Sequence, residues 1–211
     1  MKTSDFEISI SEKMLTACRA CIPLIKEELV QESIYAFTIF CDSGFTHMGI
    51  AVSTRESVAR KINSNVDVGV PDNVFLMNAS EWDYLAIHNE LFEEVGVLID
   101  EFYDRYYDQD FDDAQFLGKG SDFIDQFACD LFMRIIVDVI KHLKAASDLS
   151  DSPFESDLLL GIQFTDPEMD ELDYIKSVSH EVNSRSWHDQ VENNYKYFED
   201  LTATREARGH F

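Results

Sequence analysis

Asp108, Asp110 and Asp112 alternate along the chain in the way that the first calcium ligands of an EF-hand loop alternate. Such a loop needs a glycine at its sixth position, where the backbone turns sharply, and a bidentate glutamate at its twelfth. Asp113 and Lys119 occupy those two positions here. The spacing therefore favours a solvated acidic loop over a calcium site, and we predict no metal site.

The other candidate motifs are incomplete. Residues 118–121 read Gly-Lys-Gly-Ser, like the end of a phosphate-binding loop, but Asp113 stands where that loop needs its first glycine. The six histidines show no H-E-x-x-H spacing, and no serine lies in a G-x-S-x-G elbow. The sequence therefore predicts no catalytic residue and no cofactor.

Two cysteines, Cys18 and Cys21, have the C-x-x-C spacing of redox and zinc sites. A redox motif would follow a strand, and a zinc site would need a second pair of ligands, which the sequence lacks. All four cysteines, Cys41 and Cys129 included, lie in apolar runs. This placement predicts buried, reduced thiols without disulfides.

The sequence shows no targeting or membrane segment. Its first residues contain no cationic stretch followed by an apolar one, so we expect no secretory signal. The longest apolar stretch, residues 123–143, is interrupted by five charged residues and does not resemble a membrane span. We therefore predict a cytoplasmic protein.

Charge is the unusual feature of the composition. The 211 residues include 41 acids and 17 bases, which gives a net charge of −24. A surface of this charge repels nucleic acid and anionic membranes and attracts basic partners. The same charge could also serve solubility alone, and composition does not separate these two uses.

The charge is concentrated in one part of the chain. Residues 81–125 hold fourteen acids, with Arg105 and Lys119 as the only bases, for a net charge of −12, half of the total. We predict that this part contacts a partner, with aromatic side chains as anchors among the charges. The predicted contact residues are Glu93, Glu94, Asp100, Glu101, Tyr103, Asp104, Tyr107, Asp108, Asp110, Phe111, Asp112 and Asp113, with Tyr106 as a further possible anchor.

We predict that a β-hairpin forms the centre of the fold and that the helices carrying these residues pack around it. Residues 34–41 and 45–52 are rich in aromatic and β-branched residues and read as two strands, joined by a turn in which Gly44 can supply a positive φ. Apolar stripes at helical spacing predict helices, and shorter apolar runs predict strands. The predicted helices are 11–31, 55–63, 82–106, 121–146 and 187–201; the further strands are 74–77 and 158–164; and 172–183 is helical or irregular.

These elements predict an α+β fold. A small, mainly antiparallel sheet around the central hairpin 34–52 packs against several helices. Serine caps are expected near Ser9 or Ser11 for the first helix and at Ser80 for the third. We predict one domain over residues 1–211, with a flexible tail at 203–211.

Four stretches occur in order along the chain: Tyr35–Asp42, Ser80–Trp82, Phe164–Pro167, and Ser177-Val178 followed by Val182-Asn183. In them the sequence resembles a bacterial family of uncharacterised domains, often encoded near polymorphic toxin or interbacterial competition genes. The resemblance implies an α+β domain and an immunity role, and it carries over no catalytic residue. It does not extend to residues 107–120.

The leading hypothesis is a cytoplasmic immunity protein without enzymatic activity. It would cover the basic active-site cleft of a cognate protein toxin, most simply a nuclease, because nucleases need positive clefts to hold phosphates. Two alternatives remain open. One is a small enzyme or ligand-binding protein with a pocket between sheet and helices, and the other is a structural protein whose acidity serves solubility. The nature of the partner separates these three hypotheses. The sequence gives no prediction of the oligomeric state.

Overall fold

Four strands form one mixed sheet at the centre of the protein. The computed structural model describes residues 3–64, 71–107, 121–165 and 167–207. The strands are β1 (Ile34–Cys41), β2 (Met48–Thr54), β3 (Tyr84–Ile87) and β4 (Phe154–Phe164), in the order β3-β2-β1-β4. The β1–β2 and β2–β3 pairs are antiparallel, and the β1–β4 pair is parallel. This arrangement confirms the predicted α+β fold with a mainly antiparallel sheet around the hairpin.

Helices pack around this sheet. They are α1 (Thr3–Glu28), α2 (Arg55–Ser64), α3 (Asp72–Met77), α4 (Glu93–Tyr107), α5 (Ser121–Ala145), α6 (Met169–Val182) and α7 (Arg185–Ala207), with 3₁₀ turns at Ala79–Glu81 and Asn89–Phe92. Every residue of β1 is buried except the half-buried Phe40, as expected for a strand with neighbours at both edges and a core on both faces.

Two predicted elements between the hairpin and α4 are wrong. The predicted strand 74–77 lies in helix α3, which follows Pro71, whose φ of −61° suits entry into a helix. The first part of the predicted helix 82–106 is instead strand β3 and a 3₁₀ turn. Ala86 and His88 there take a φ of 54°, which a helix does not allow, and Ile87 pairs with Ile50 of β2.

The ends of several helices also differ from prediction. Helix α1 begins at Thr3, so Ser9 and Ser11 lie inside it rather than capping it, and Ser80 lies in a 3₁₀ turn. Helix α7 continues past position 201 to Ala207, so residues 203–207 of the predicted tail are helical. Positions 208–211 lie outside the described residues.

The outer edge of β4 is closed by a side chain. The Asn183 amide donates to the Leu160 carbonyl at 2.8 Å, and its oxygen accepts from the Leu160 N–H, also at 2.8 Å. The Trp187 indole donates to the Asp157 carbonyl at 3.1 Å. These bonds satisfy backbone groups that would otherwise offer a free edge to another strand.

An aromatic cluster joins the hairpin loop to three helices. The ring of Phe132 on α5 lies 6.3 Å from Phe6 on α1, 5.5 Å from Phe102 on α4 and 5.5 Å from Phe45 in the loop. Phe45, rather than Gly44, has the positive φ in this loop, 54°. The prediction for Gly44 is wrong because burying the Phe45 ring against Phe132 offsets the backbone strain.

Candidate functional site: an acidic surface on two helices

Helices α1 and α4 lie side by side and run in opposite directions. The Phe6 and Phe102 rings are 4.7 Å apart, and farther along the pair Lys13 Nζ lies 2.5 Å from a Glu94 carboxylate oxygen. Apolar side chains at helical spacing on each helix face the core, so the opposite face of each helix faces solvent.

Acidic residues dominate the exposed faces of this pair. We define the acidic surface by seven exposed acids, which are Asp5 and Glu12 of α1 and Glu93, Glu94, Asp100, Glu101 and Asp104 of α4. The hydrogen bond from Lys13, together with its charge, lowers the pKa of Glu94. The other six acids have no ion-pair partner among the residues that the structure describes.

Six bases elsewhere in the protein are paired with other acids. The Arg55 guanidinium makes a bidentate salt bridge to the Glu155 carboxylate, with both N–O distances 2.8 Å. Lys141 Nζ lies 2.6 Å from a Glu181 carboxylate oxygen. Further pairs are Arg19–Asp148, Arg60–Asp83, Arg134–Glu7 and Lys176–Asp173. These bases do not neutralise the acidic surface, and Lys13 and Arg105 leave its seven acids with a net negative charge, so its field extends into solvent.

Two aliphatic side chains lie among these acids. Ile8 is 59% exposed and Val97 is 57% exposed, and they are two of the four exposed large hydrophobic residues in the described parts of the chain. On α1, Ile8 lies one helical turn from both Asp5 and Glu12. On α4, Val97 lies four residues from both Glu93 and Glu101. Exposed apolar side chains within a charged surface are typical of protein interfaces.

The structure places only part of the predicted contact set. Glu93, Glu94, Asp100, Glu101 and Asp104 lie together on the exposed side of α4. Tyr107 ends α4, but its side chain is not among those described. Asp108, Asp110, Phe111, Asp112 and Asp113 lie outside the described residues.

The side chain of Tyr103 is less exposed than the predicted aromatic anchor would be. It is half-buried, its ring lies 5.2 Å from that of Phe102, and its hydroxyl donates to the Gly44 carbonyl at 2.5 Å. The predicted contact set did not include Asp5, Glu12, Ile8 or Val97, which the structure places on the exposed faces of α1 and α4. Their signal was an aliphatic residue opposite the apolar stripe of its helix, flanked by acids at helical spacing.

A cleft lies beside the acidic surface. It encloses about 620 Å³ between the hairpin loop, α4 and α5. Its lining residues in the described parts of the chain are Ser43, Gly44, Thr46, Asp100, Tyr103, Asp104, Ala128 and Cys129. Two acids of the surface, Asp100 and Asp104, thus border a concave site as well as an exposed face.

A cavity of about 520 Å³ is lined by β4 and the loop that precedes it, and a smaller one lies between the sheet and two helices. The smaller cavity bears on the ligand-binding alternative. It lies among α6, α7 and β4, next to Asn78, Gln163 and Asn194, and its volume is about 10 Å³. That space is roughly the size needed by one water molecule, whereas ligand pockets take about 300 Å³ or more. This cavity does not provide the predicted pocket between sheet and helices.

The buried thiols are poor nucleophiles. Burial raises the pKa of Cys18 and Cys41. The pKa of Cys21 is raised to about 12, mainly by burial and to a smaller extent by the charge of Glu90. No disulfide joins any of the four cysteines, and Cys129 is half-buried at the cleft. Within the described ranges, no group of three or more His, Cys, Asp or Glu side chains could hold a metal ion. Among the same residues, no helix has the length and apolarity needed to cross a membrane.

We expect Cys18, Cys21 and Cys41 to react slowly with a thiol reagent in the native protein, and Cys129 to react first, because thiolate fraction and access control the rate. Mass spectrometry of partly labelled protein gives the order of reaction. Rapid native labelling of all three buried cysteines would contradict this placement.

The same burial makes stability depend on pH. Since the raised pKa favours the neutral thiols in the folded state, the free energy of unfolding should fall as the pH rises above the ordinary thiol pKa of 9.0.

Comparison of the chain with protein-family models, curated proteins and solved structures finds no match.

Proposed function

We propose that this protein binds a basic protein partner through the acidic surface of α1 and α4. The observation that carries the proposal is the combination on that surface of exposed Ile8 and Val97 with six acids that have no ion-pair partner among the described residues. The acids speed encounter with a basic partner and orient it, while the aliphatic side chains supply apolar contact area. Solubility alone would need the charge but would not need large aliphatic side chains among the acids.

The finer form of the proposal is an immunity protein that neutralises a toxin. A nuclease toxin holds phosphates in a basic cleft, and an acidic protein that fills the cleft competes with the nucleic acid for the same charges. The sequence resemblance described above supports this form. In it the protein is an inhibitor without catalysis of its own, and it acts by occupying the cleft of the toxin.

Neutralising four acids of α4 should slow association with a basic toxin domain encoded by the adjacent gene. The variant is Glu93→Gln, Asp100→Asn, Glu101→Gln and Asp104→Asn. We expect the association rate to fall about ten-fold or more, because electrostatic steering supplies factors of this order. The wild-type rate should fall steeply with salt, and the variant rate should fall less. Stopped-flow association at several salt concentrations measures both effects.

A matched control separates local charge from total charge. Asp170→Asn, Glu192→Gln, Glu199→Gln and Asp200→Asn remove the same number and kind of exposed acids from α6 and α7. The control should associate at close to the wild-type rate. Equal slowing by both variants would show that only net charge matters, and no slowing by either would overturn the proposal.

A further inference from the structure

The cleft beside the acidic surface combines three kinds of lining group. Asp100 and Asp104 contribute exposed carboxylates, Tyr103 contributes an aromatic ring, and Ala128 and Cys129 contribute small side chains. Its volume of about 620 Å³ lies within the range of ligand pockets, about 300 to 1,000 Å³.

Hydrogen bonds hold the loop wall of this cleft in place. The Asp42 carboxylate accepts from the Thr46 N–H at 2.6 Å and the His47 N–H at 3.2 Å. Partial burial alone would raise the pKa of Asp42, but the hydrogen bonds from Thr46 and His47 together outweigh it and lower the pKa. With Tyr103 bonded to Gly44 from the other wall, a ligand meets a cleft that needs little reordering.

We propose that this cleft receives an arginine side chain of the partner, an inference that rests on the proposed function. A guanidinium stacks its plane on an aromatic ring and forms two parallel bonds to a carboxylate, so Tyr103 with Asp100 and Asp104 matches it. A lysine ammonium is more strongly hydrated, and it neither stacks nor bonds in this paired way. Arginine is also enriched among the residues that dominate interface energies.

The same chemistry already holds an arginine inside this chain. The Arg55 guanidinium carbon lies 4.4 Å from the centre of the Tyr35 ring, and its two nitrogens bind the Glu155 carboxylate. An aromatic face next to a carboxylate is therefore a combination that this fold uses to hold a guanidinium. The cleft offers that combination, and the lining residues that the structure describes include no base.

Titration with N-acetyl-arginine amide, followed by amide chemical shifts, tests the inference on the intact protein. We expect saturable shifts centred on the cleft residues and weaker binding of N-acetyl-lysine amide. Ser43→Trp adds bulk at the cleft without changing any charge, and Asp100→Asn with Asp104→Asn removes the carboxylates. Each change should weaken binding of the arginine probe about ten-fold, the order expected from loss of a charge-assisted bond or of access. Ser186→Trp, at an exposed site on α7, is the matched control and should bind as wild type does.

The outcomes separate this inference from the proposed function. Equal binding of the arginine probe by wild type and Ser43→Trp would overturn the inference, and so would equal binding of the arginine and lysine probes. Either result would overturn the inference alone if the association rate of the basic toxin domain still depends on the four α4 acids. The proposed function would then stand. Arginine-selective shifts in the cleft that both variants weaken about ten-fold, with Ser186→Trp unaffected, would support the inference.

Discussion

Replacing Ile135 by aspartate should lower the free energy of unfolding by roughly 3 kcal/mol or more, because it buries an unpaired charge in place of apolar contacts. Ile135 is 1% exposed and lies on α5, on the side of that helix that faces the core. Urea unfolding followed by circular dichroism measures the loss, provided that the unfolding slope stays constant.

The same substitution at an exposed site is the control. Ile8→Asp makes an identical chemical change at a side chain that is 59% exposed, so its cost should stay within about 1 kcal/mol. Equal costs at Ile8 and Ile135 would contradict the placement of α5 in the core.

Replacing Phe132 by alanine should cost about 3 to 5 kcal/mol, the range for removing a buried aromatic ring. Phe132 is fully buried and contacts rings from α1, α4 and the hairpin loop. Its loss leaves a cavity at the junction that holds the acidic surface and the cleft together. Thermal and urea unfolding measure the cost.

Phe198→Ala provides the comparison for Phe132. Phe198 is half-buried on α7, so truncating it should cost clearly less than truncating Phe132. A Phe132 variant as stable as the Phe198 variant would show that the aromatic cluster does not organise this part of the fold.

The hairpin and the long helices could be predicted because each carries a strong local pattern. Residues 34–41 are dense in aromatic and β-branched side chains, and α5 repeats apolar residues at helical spacing over 25 residues. The parallel pairing of β1 with β4 could not be predicted, because the partners lie more than 100 residues apart and no local signal gives their register.

The errors arose where tertiary contacts override local preference. Residues 84–87 continue an apolar stripe that suits a helix, but they pair instead with the edge of β2. Residue 45 takes the positive φ expected of Gly44 because its ring is needed in the aromatic cluster. Neither the β3–β2 pairing nor the contact of Phe45 with Phe132 is encoded within a short window of sequence.

The acidic surface was predictable only in its α4 part. The charge density of residues 81–125 indicated a contact region, and helical spacing places five of its acids on the exposed side of α4. The contribution of α1 could not be predicted, because it depends on how the two helices pack. Lys13 of α1 reaches Glu94 of α4 across 81 positions of the sequence.

Hydrogen exchange with and without the proposed basic protein partner tests the central claim most directly. The contact surface should show slower amide exchange on binding, because the partner excludes water and restrains local opening. Our account predicts slower exchange in residues 3–16 of α1 and 93–105 of α4, with α6 and α7 unchanged. Slower exchange confined to α6 and α7, with α1 and α4 unchanged, would contradict it.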